Sequence, residues 1–271
     1  MIKQQLINFN LTKGKYVQFI EQLLTLASNK KAAIVCVANV HMFVEAQQNE
    51  EFLAIINNAE MVTPDGKPLT WALRLLYGIK QERVAGMDLL PDLLKKMEEQ
   101  ELSVYFYGGS QEMLNSTTKH IQQKYPLLKV AGSFSPPFRA LTENEHGQII
   151  ESINESNPHV VFVILGCPKQ EKWMDSVKGK INSVMIGVGG ALPVMIGLQK
   201  RAPLWMQNAG LEWLYRLIQE PGRLFKRYAV TNTFFIVTIL KEFFNLKFMV
   251  PLKFSKKKIN HKYPIKNSVN E

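Results

Sequence analysis

The stretch His159–Glu171, HVVFVIL followed by GCPKQE, decides the fold. Val160 to Leu165 are six apolar residues in a row, rich in β-branched side chains. A run without polar alternation has no solvent face, so it reads as a strand buried on both sides. Gly166-Cys167-Pro168 ends the run. Proline is tolerated in a helix's first turn, where its missing N–H would have no intrahelical partner anyway. A helix is therefore expected to start at Pro168. Lys169, Gln170 and Glu171 then stand where a strand hands over to a helix, the end at which open α/β sheets bind ligands.

The same pattern recurs outward from this segment. Strands are expected at Ala32–Val37 (AAIVCV), Glu60–Thr63, Ser103–Tyr107 (SVYFY), Leu128–Ala131 and Ser183–Val188 (SVMIGV). Helical spacing falls between them, at His41–Gln48, Glu51–Asn58, Leu69–Tyr77, Met87–Glu99 and Glu143–Glu155. Ser110 is placed to cap a further helix that ends before Tyr125-Pro126. Apolar strands alternating with helices imply an α/β, doubly wound, mainly parallel sheet with helices on both faces.

Composition narrows the class. The 271 residues are 46% hydrophobic and 21% charged, which excludes a disordered chain. The two cysteines, Cys36 and Cys167, lie in apolar segments, which favours a reducing compartment over a disulfide scaffold. The first ten residues, MIKQQLINFN, lack the apolar core of a secretory signal. The net charge is +10, and residues 201–271 carry 13 Lys/Arg against 4 Asp/Glu, so the first 200 residues are close to neutral. A uniformly basic nucleic-acid coat is excluded, and an anionic partner for the C-terminal part is implied. The expected organisation is an α/β domain over 1–197, a helical appendage over 198–250 for membrane binding, and a basic, disordered tail over 251–271. The longest late uncharged run, Tyr228–Leu240, falls short of the ~20 residues that span a bilayer, so the appendage is expected to lie on a membrane. Phe234, Phe235, Phe243 and Phe244 are the aromatics expected to dip into that interface.

Four segments fall at strand ends: Asn39–His41, Asp65-Gly66, Gly108-Gly109-Ser110 and Gly166–Glu171. Asp65, one of four aspartates, reads either as an Asx turn or as a general base that accepts a proton from a hydroxyl nucleophile. Gly108-Gly109 and the GVGG at Gly187–Gly190 read either as tight turns or as places where a phosphate approaches the backbone. Gln170 is ligand-facing or part of a capped helix start. Arg83 carries no signal beyond its charge. Arg216, Arg223 and Arg227, spaced by seven and four, would share one face of a single helix and suit phosphate or anionic headgroups. No DxD pair, zinc spacing, GxGxxG or GxSxG elbow occurs.

At these residues the sequence resembles the WecB/TagA/CpsF family of bacterial glycosyltransferases. The resemblance runs from Val35 to Arg227, through ANVHMFVEA (38–46), TPDGKPL (63–69), ERVAGMDL (82–89), YFYGGS (105–110), YPLLKVAGSFSPPFR (125–139), GCPKQEKW (166–173) and RAPLWMQNAGLEWLYRLIQEPGRLFKRY (201–228). The SPPFR segment is similar to the exopolysaccharide-type branch. The resemblance implies an inverting, metal-independent transfer with no cofactor, from a UDP-sugar to a polyprenyl-diphosphate-linked saccharide. It places the protein at the cytoplasmic face of the cell membrane, in cell-surface polysaccharide synthesis. It implies Asp65 as the catalytic base and Asn39, Arg83 and Gln170 as substrate contacts; Gly108, Gly109 and Gly189 are further candidate contacts by their position at strand ends alone. Arg216, Arg223 and Arg227 would cradle the acceptor diphosphate.

Two departures stand out. Gly189-Gly190 continues as Ala191-Leu192-Pro193 where the family usually has Phe-Asp, and Val37 replaces a Thr common in the teichoic-acid branch. Nucleic acid is not an expected partner, and a homo-oligomer is left open. The alternatives are a non-catalytic membrane-docked subunit of a polysaccharide assembly complex and a nucleotide-binding oxidoreductase.

Overall fold

A computed structural model describes residues 1–248. The chain opens with a hairpin, β1 (Ile2–Leu6) and β2 (Phe9–Lys13), and a helix, α1 (Tyr16–Ser28). The core alternation follows: β3 (Ala33–Ala38), α2 (Val40–Gln48), α3 (Glu50–Asn58), β4 (Met61–Pro64), α4 (Lys67–Tyr77), α5 (Gly86–Glu99), β5 (Ser103–Gly108), α6 (Gln111–Lys124), β6 (Lys129–Phe134), α7 (Glu143–Ser156), β7 (Val160–Ile164), α8 (Lys169–Ser176) and β8 (Val184–Gly187). Four helices complete the described chain: α9 (Ala191–Met195), α10 (Leu204–Ala209), α11 (Glu212–Gln219) and α12 (Pro221–Phe248).

The six core strands are all parallel, in the order β4-β3-β8-β7-β5-β6. β3, β5, β7 and β8 are buried along their full length, which is why their sequences show no alternation. One core lies beneath α2, α3, α4, α7 and α8, and the other beneath α1, α5, α6 and α9. The chain leaves β3 toward the first core and leaves β8 toward the second. These two strands are neighbours, so the winding reverses between them. That reversal opens a crevice at their carboxyl ends, the ligand position of doubly wound sheets.

The N-terminal hairpin has a defined task. β4 is an edge strand, and the Thr12 hydroxyl of β2 accepts a hydrogen bond from Val62 N–H at 2.9 Å. The hairpin thus covers an edge that would otherwise present free amides.

The C-terminal helices are joined to the body by packing. Phe235 of α12 is buried edge-on against Phe43 of α2, with centroids 5.3 Å apart, and Phe43 in turn meets Phe9 of β2 at 5.5 Å. Ile239 is buried beside them. The expectation that Phe235 dips into a membrane is therefore corrected: its ring belongs to the core. The single helix expected to carry Arg216, Arg223 and Arg227 is also corrected. Pro221 starts a new helix, so Arg216 lies on α11 and the other two on α12. No described helix is long and apolar enough to cross a membrane. The tail over 251–271 lies outside the described residues.

Candidate active site

Asp65 leaves β4 at the crevice, its N–H bonded to Ala38 O of β3 at 2.8 Å. The following Gly66 lies against Asn39, with a Cβ there only 3.8 Å from the Asn39 Cα. Asn39 caps α2 through its Oδ1, which accepts from Met42 N–H at 3.1 Å. Its NH₂ group has no partner among the described residues.

Arg83 arrives from the connection between α4 and α5. Val84 N–H donates to Pro64 O at 2.9 Å, and Val84 O accepts from the Thr63 hydroxyl at 3.3 Å. These bonds pin the loop beside the end of β4 and bring the Arg83 charge to Asp65. Gly86 N–H, at the start of α5, donates to the Asp65 carboxylate. Asp65 keeps some solvent access but is closely surrounded by protein. Burial pushes its carboxyl up to about 6; Arg83 and Arg216 oppose the rise and the Glu212 charge adds to it.

Across the crevice, Gln170 is buried on the first turn of α8. Its Oε1 accepts from Gly166 N–H at 3.1 Å, and its Nε2 donates to Glu171 Oε1 at 2.7 Å. The amide lies over the end of β8: a Cβ at Gly187 would come within 2.7 Å of its Nε2, and one at Gly189 within 3.3 Å of its Oε1. A Cβ at Gly190 would come within 2.8 Å of Arg216 Nη2. The GVGG segment is glycine-rich because two side chains lie on its backbone. Ala191 and Leu192 continue into the second core, so the position without the family's usual Phe-Asp is apolar and buried.

The crevice therefore gathers Asn39, Asp65, Arg83, Gln170, Gly189 and Arg216. Arg227 reaches the neighbouring His41, whose ring burial and the Arg227 charge both hold below the usual imidazole value. Arg223 lies in the first turn of α12, paired with Glu220. Glu220 is held below the usual carboxylate range by its hydrogen bond from Arg223, with the Arg216 and Arg227 charges adding to the effect. All three arginines thus act on one carboxylate, with Arg223 alone paired to it.

Gly108 and Gly109 stand apart. β5 lies four strands from β4, roughly 19 Å at ~4.8 Å per strand. Gly108 has φ 108°, and a Cβ there would sit 2.7 Å from Ile164 O, so close strand packing by itself requires glycine. Ser110 caps α6, as its place in the sequence suggested.

Of two further acids at the site, Glu171 was placed at the strand end by the sequence without a role of its own, and Glu212 was missed. Glu171 is fully buried next to Gln170, and burial pushes its carboxyl up to about 7 despite the hydrogen bond from Gln170. Glu212, on α11, pairs with Arg83. Its one signal was rarity: it is one of four acids in the basic last quarter of the chain.

A parallel sheet with a carboxylate and two arginines at its switch point has the make-up of a site for an anionic ligand. The model of the glycosyl transferase WecG/TagA/CpsF family matches residues 4–248, and the chain belongs to that family. It is a glycosyltransferase. Among curated proteins it is similar to N-acetylglucosaminyldiphosphoundecaprenol N-acetyl-beta-D-mannosaminyltransferases. The one from Bacillus subtilis strain 168 is 29% identical, over 90% of this chain and 92% of its own length. That of Bacillus spizizenii strain W23 is 29% identical, over 84% and 87%. That of Staphylococcus aureus strain MW2 is 26% identical, over 82% and 87%.

Proposed function

We propose that this enzyme transfers a sugar from a UDP-sugar to a polyprenyl-diphosphate-linked saccharide during synthesis of a cell-surface polysaccharide. The observation that carries the reading is Asp65, a carboxyl raised to about 6 at the switch crevice and flanked by Arg83 and Arg216. Asp65 takes the proton of an acceptor hydroxyl as that oxygen attacks the anomeric carbon. The bond from that carbon to the β-phosphate oxygen breaks, and UDP leaves with the electron pair. One displacement inverts the anomeric centre. Arg83 and Arg216, with the Gln170 amide, meet the charge that develops on the diphosphate, with no metal in the step. The names of the relatives support an acceptor whose first sugar is attached to the lipid diphosphate.

In the same reading, residues 1–197 supply Asp65, Arg83 and Gln170, and the segment over 198–250 adds Arg216, the acceptor site and the docking surface. Leu204, Trp205, Ile218 and Phe225 are exposed on α10, α11 and the first turns of α12, among Arg223, Lys226 and Arg227. Apolar side chains interleaved with cations suit an anionic leaflet, so the enzyme sits peripherally on the inner face of the cell membrane.

The test is a screen of UDP-sugars with a synthetic polyprenyl-diphosphate sugar, read by product mass. One donor is expected to give a product heavier by a single sugar. No product from any donor would sink the reading and favour a non-catalytic subunit.

A further inference from the structure

We propose that Glu212 is a positioning residue through which the C-terminal segment keeps the Arg83 guanidinium beside Asp65 without letting it bind there. The proposal rests on the donor reading above.

The observation is a closed ring of four charges. Arg83 Nη1 donates to Glu212 Oε2, and Arg83 Nη2 donates to Asp88 Oδ2 at 3.1 Å. Arg201 Nη2 donates to Asp88 Oδ1 at 2.5 Å, and Arg201 Nε stands 3.6 Å from Glu212 Oε1. Arg83 and Asp88 belong to the body, and Arg201 and Glu212 come from the segment after α9. Arg83 and Glu212 are largely buried, with side chains 16% and 18% exposed. Pairs removed from water to that degree are screened less than surface pairs.

The ring answers a chemical problem. An arginine next to a general base is drawn onto it, and a direct ion pair would weaken that base. No hydrogen bond or salt bridge joins Arg83 to Asp65 among the described residues. Two other carboxylates occupy Nη1 and Nη2, so the guanidinium plane is fixed and its remaining N–H groups stay available to an anionic leaving group. The groups facing Asp65 are Arg83, Glu212, Arg216 and the Gly86 N–H. Removing Glu212 takes away a negative charge and frees Arg83 to approach Asp65. Both changes favour the ionised carboxylate and make it a weaker base.

The test uses the full chain with Glu212→Ala, Glu212→Gln, Arg83→Ala and the Arg83/Glu212 double alanine variant. UDP affinity is measured by calorimetry, folding by thermal melting, and transfer as kcat/KM against pH. Loss of either partner is expected to weaken UDP binding about 10-fold, and the double variant about 10-fold rather than about 100-fold, because the two act as one unit. The acid limb of the kcat/KM profile is expected to move to lower pH in Glu212→Ala. It must also move in Glu212→Gln, which keeps the shape and the hydrogen bond and loses only the charge. Additive losses in the double variant overturn the proposal. So does a lowered melting point with unchanged UDP affinity and an unmoved limb, which would make Glu212 a structural tie alone. Wild-type protein that binds no UDP overturns the donor reading and this inference with it.

Discussion

At the residue scale, the site depends on two acids with opposite duties. Asp65 must be ionised to act as a base, so transfer is expected to rise as pH increases through about 6 and then level off. A flat profile between pH 5 and 8 would remove it from that role. Asp65→Asn is expected to lower kcat by ~10²-fold or more, with the melting temperature held or raised. Glu171 is fully buried, and its carboxyl is raised to about 7 from 4.5. A raised folded value means that the neutral form stabilises the fold. That stability is complete below about pH 4.5 and is lost as pH climbs through 7. The loss has an upper bound of ~3 kcal/mol, from about 1.4 kcal/mol per unit. Glu171→Gln is expected to abolish this pH dependence and to melt higher than wild type at pH 8. A wild-type melting temperature that does not fall between pH 5 and pH 8 would refute that reading.

Asp65 and Gln170 were legible because they stand at strand ends, where the chain grammar itself points. Of their neighbours, Arg83 came from the resemblance alone, Arg216 from its helical spacing as well, and Glu212 did not come at all. Arg83 has meaning only once Val84 is bonded to Pro64, and Glu212 only once α11 is folded back over the crevice. Both are long-range facts that local pattern does not carry. The glycines of GVGG were visible, but their reason was not: they accommodate Gln170 and Arg216.

At the element scale, five of the six core strands announced themselves as apolar runs. The sixth, β6, is an exposed edge and was readable only from its flanking turns. The N-terminal hairpin and α1 were not anticipated, since β1 is short and mostly exposed. The most consequential element is α12. Its anchor is Phe235, buried against Phe43. Phe235→Ala is expected to cost about 3–5 kcal/mol, read by denaturant unfolding. A cost below 1 kcal/mol would mean that α12 is only loosely attached. The aromatic run of α12 misled because a helix with one buried stripe and an interfacial helix share a composition. Only tertiary packing separates them.

At the scale of the whole molecule, the charge asymmetry of the chain bears on where it docks. Residues 1–200 carry most of the crevice, and the described helices after them carry part of the basic surplus together with the exposed Leu204, Trp205, Ile218 and Phe225. Protein truncated after Gly197 is expected to stop floating with vesicles that contain anionic lipid. The intact chain is expected to lose binding as salt rises, because leaflet attraction is screened. Truncated protein that still floats would move the docking surface to the body.

Arg216 has a further consequence. It lies on Gly190, its charge acts on Asp65, and with the charges of Arg223 and Arg227 it acts on Glu220. If the acceptor diphosphate occupies that arginine group, the same residue touches both the anchor point of the lipid and the neighbourhood of the base. The separation of that arginine group from Asp65 then sets how long an acceptor saccharide can be and still present its hydroxyl to the base. Synthetic acceptors bearing a single sugar are expected to outpace those bearing two or three. The polymer would leave this enzyme after one addition because its growing end no longer reaches Asp65.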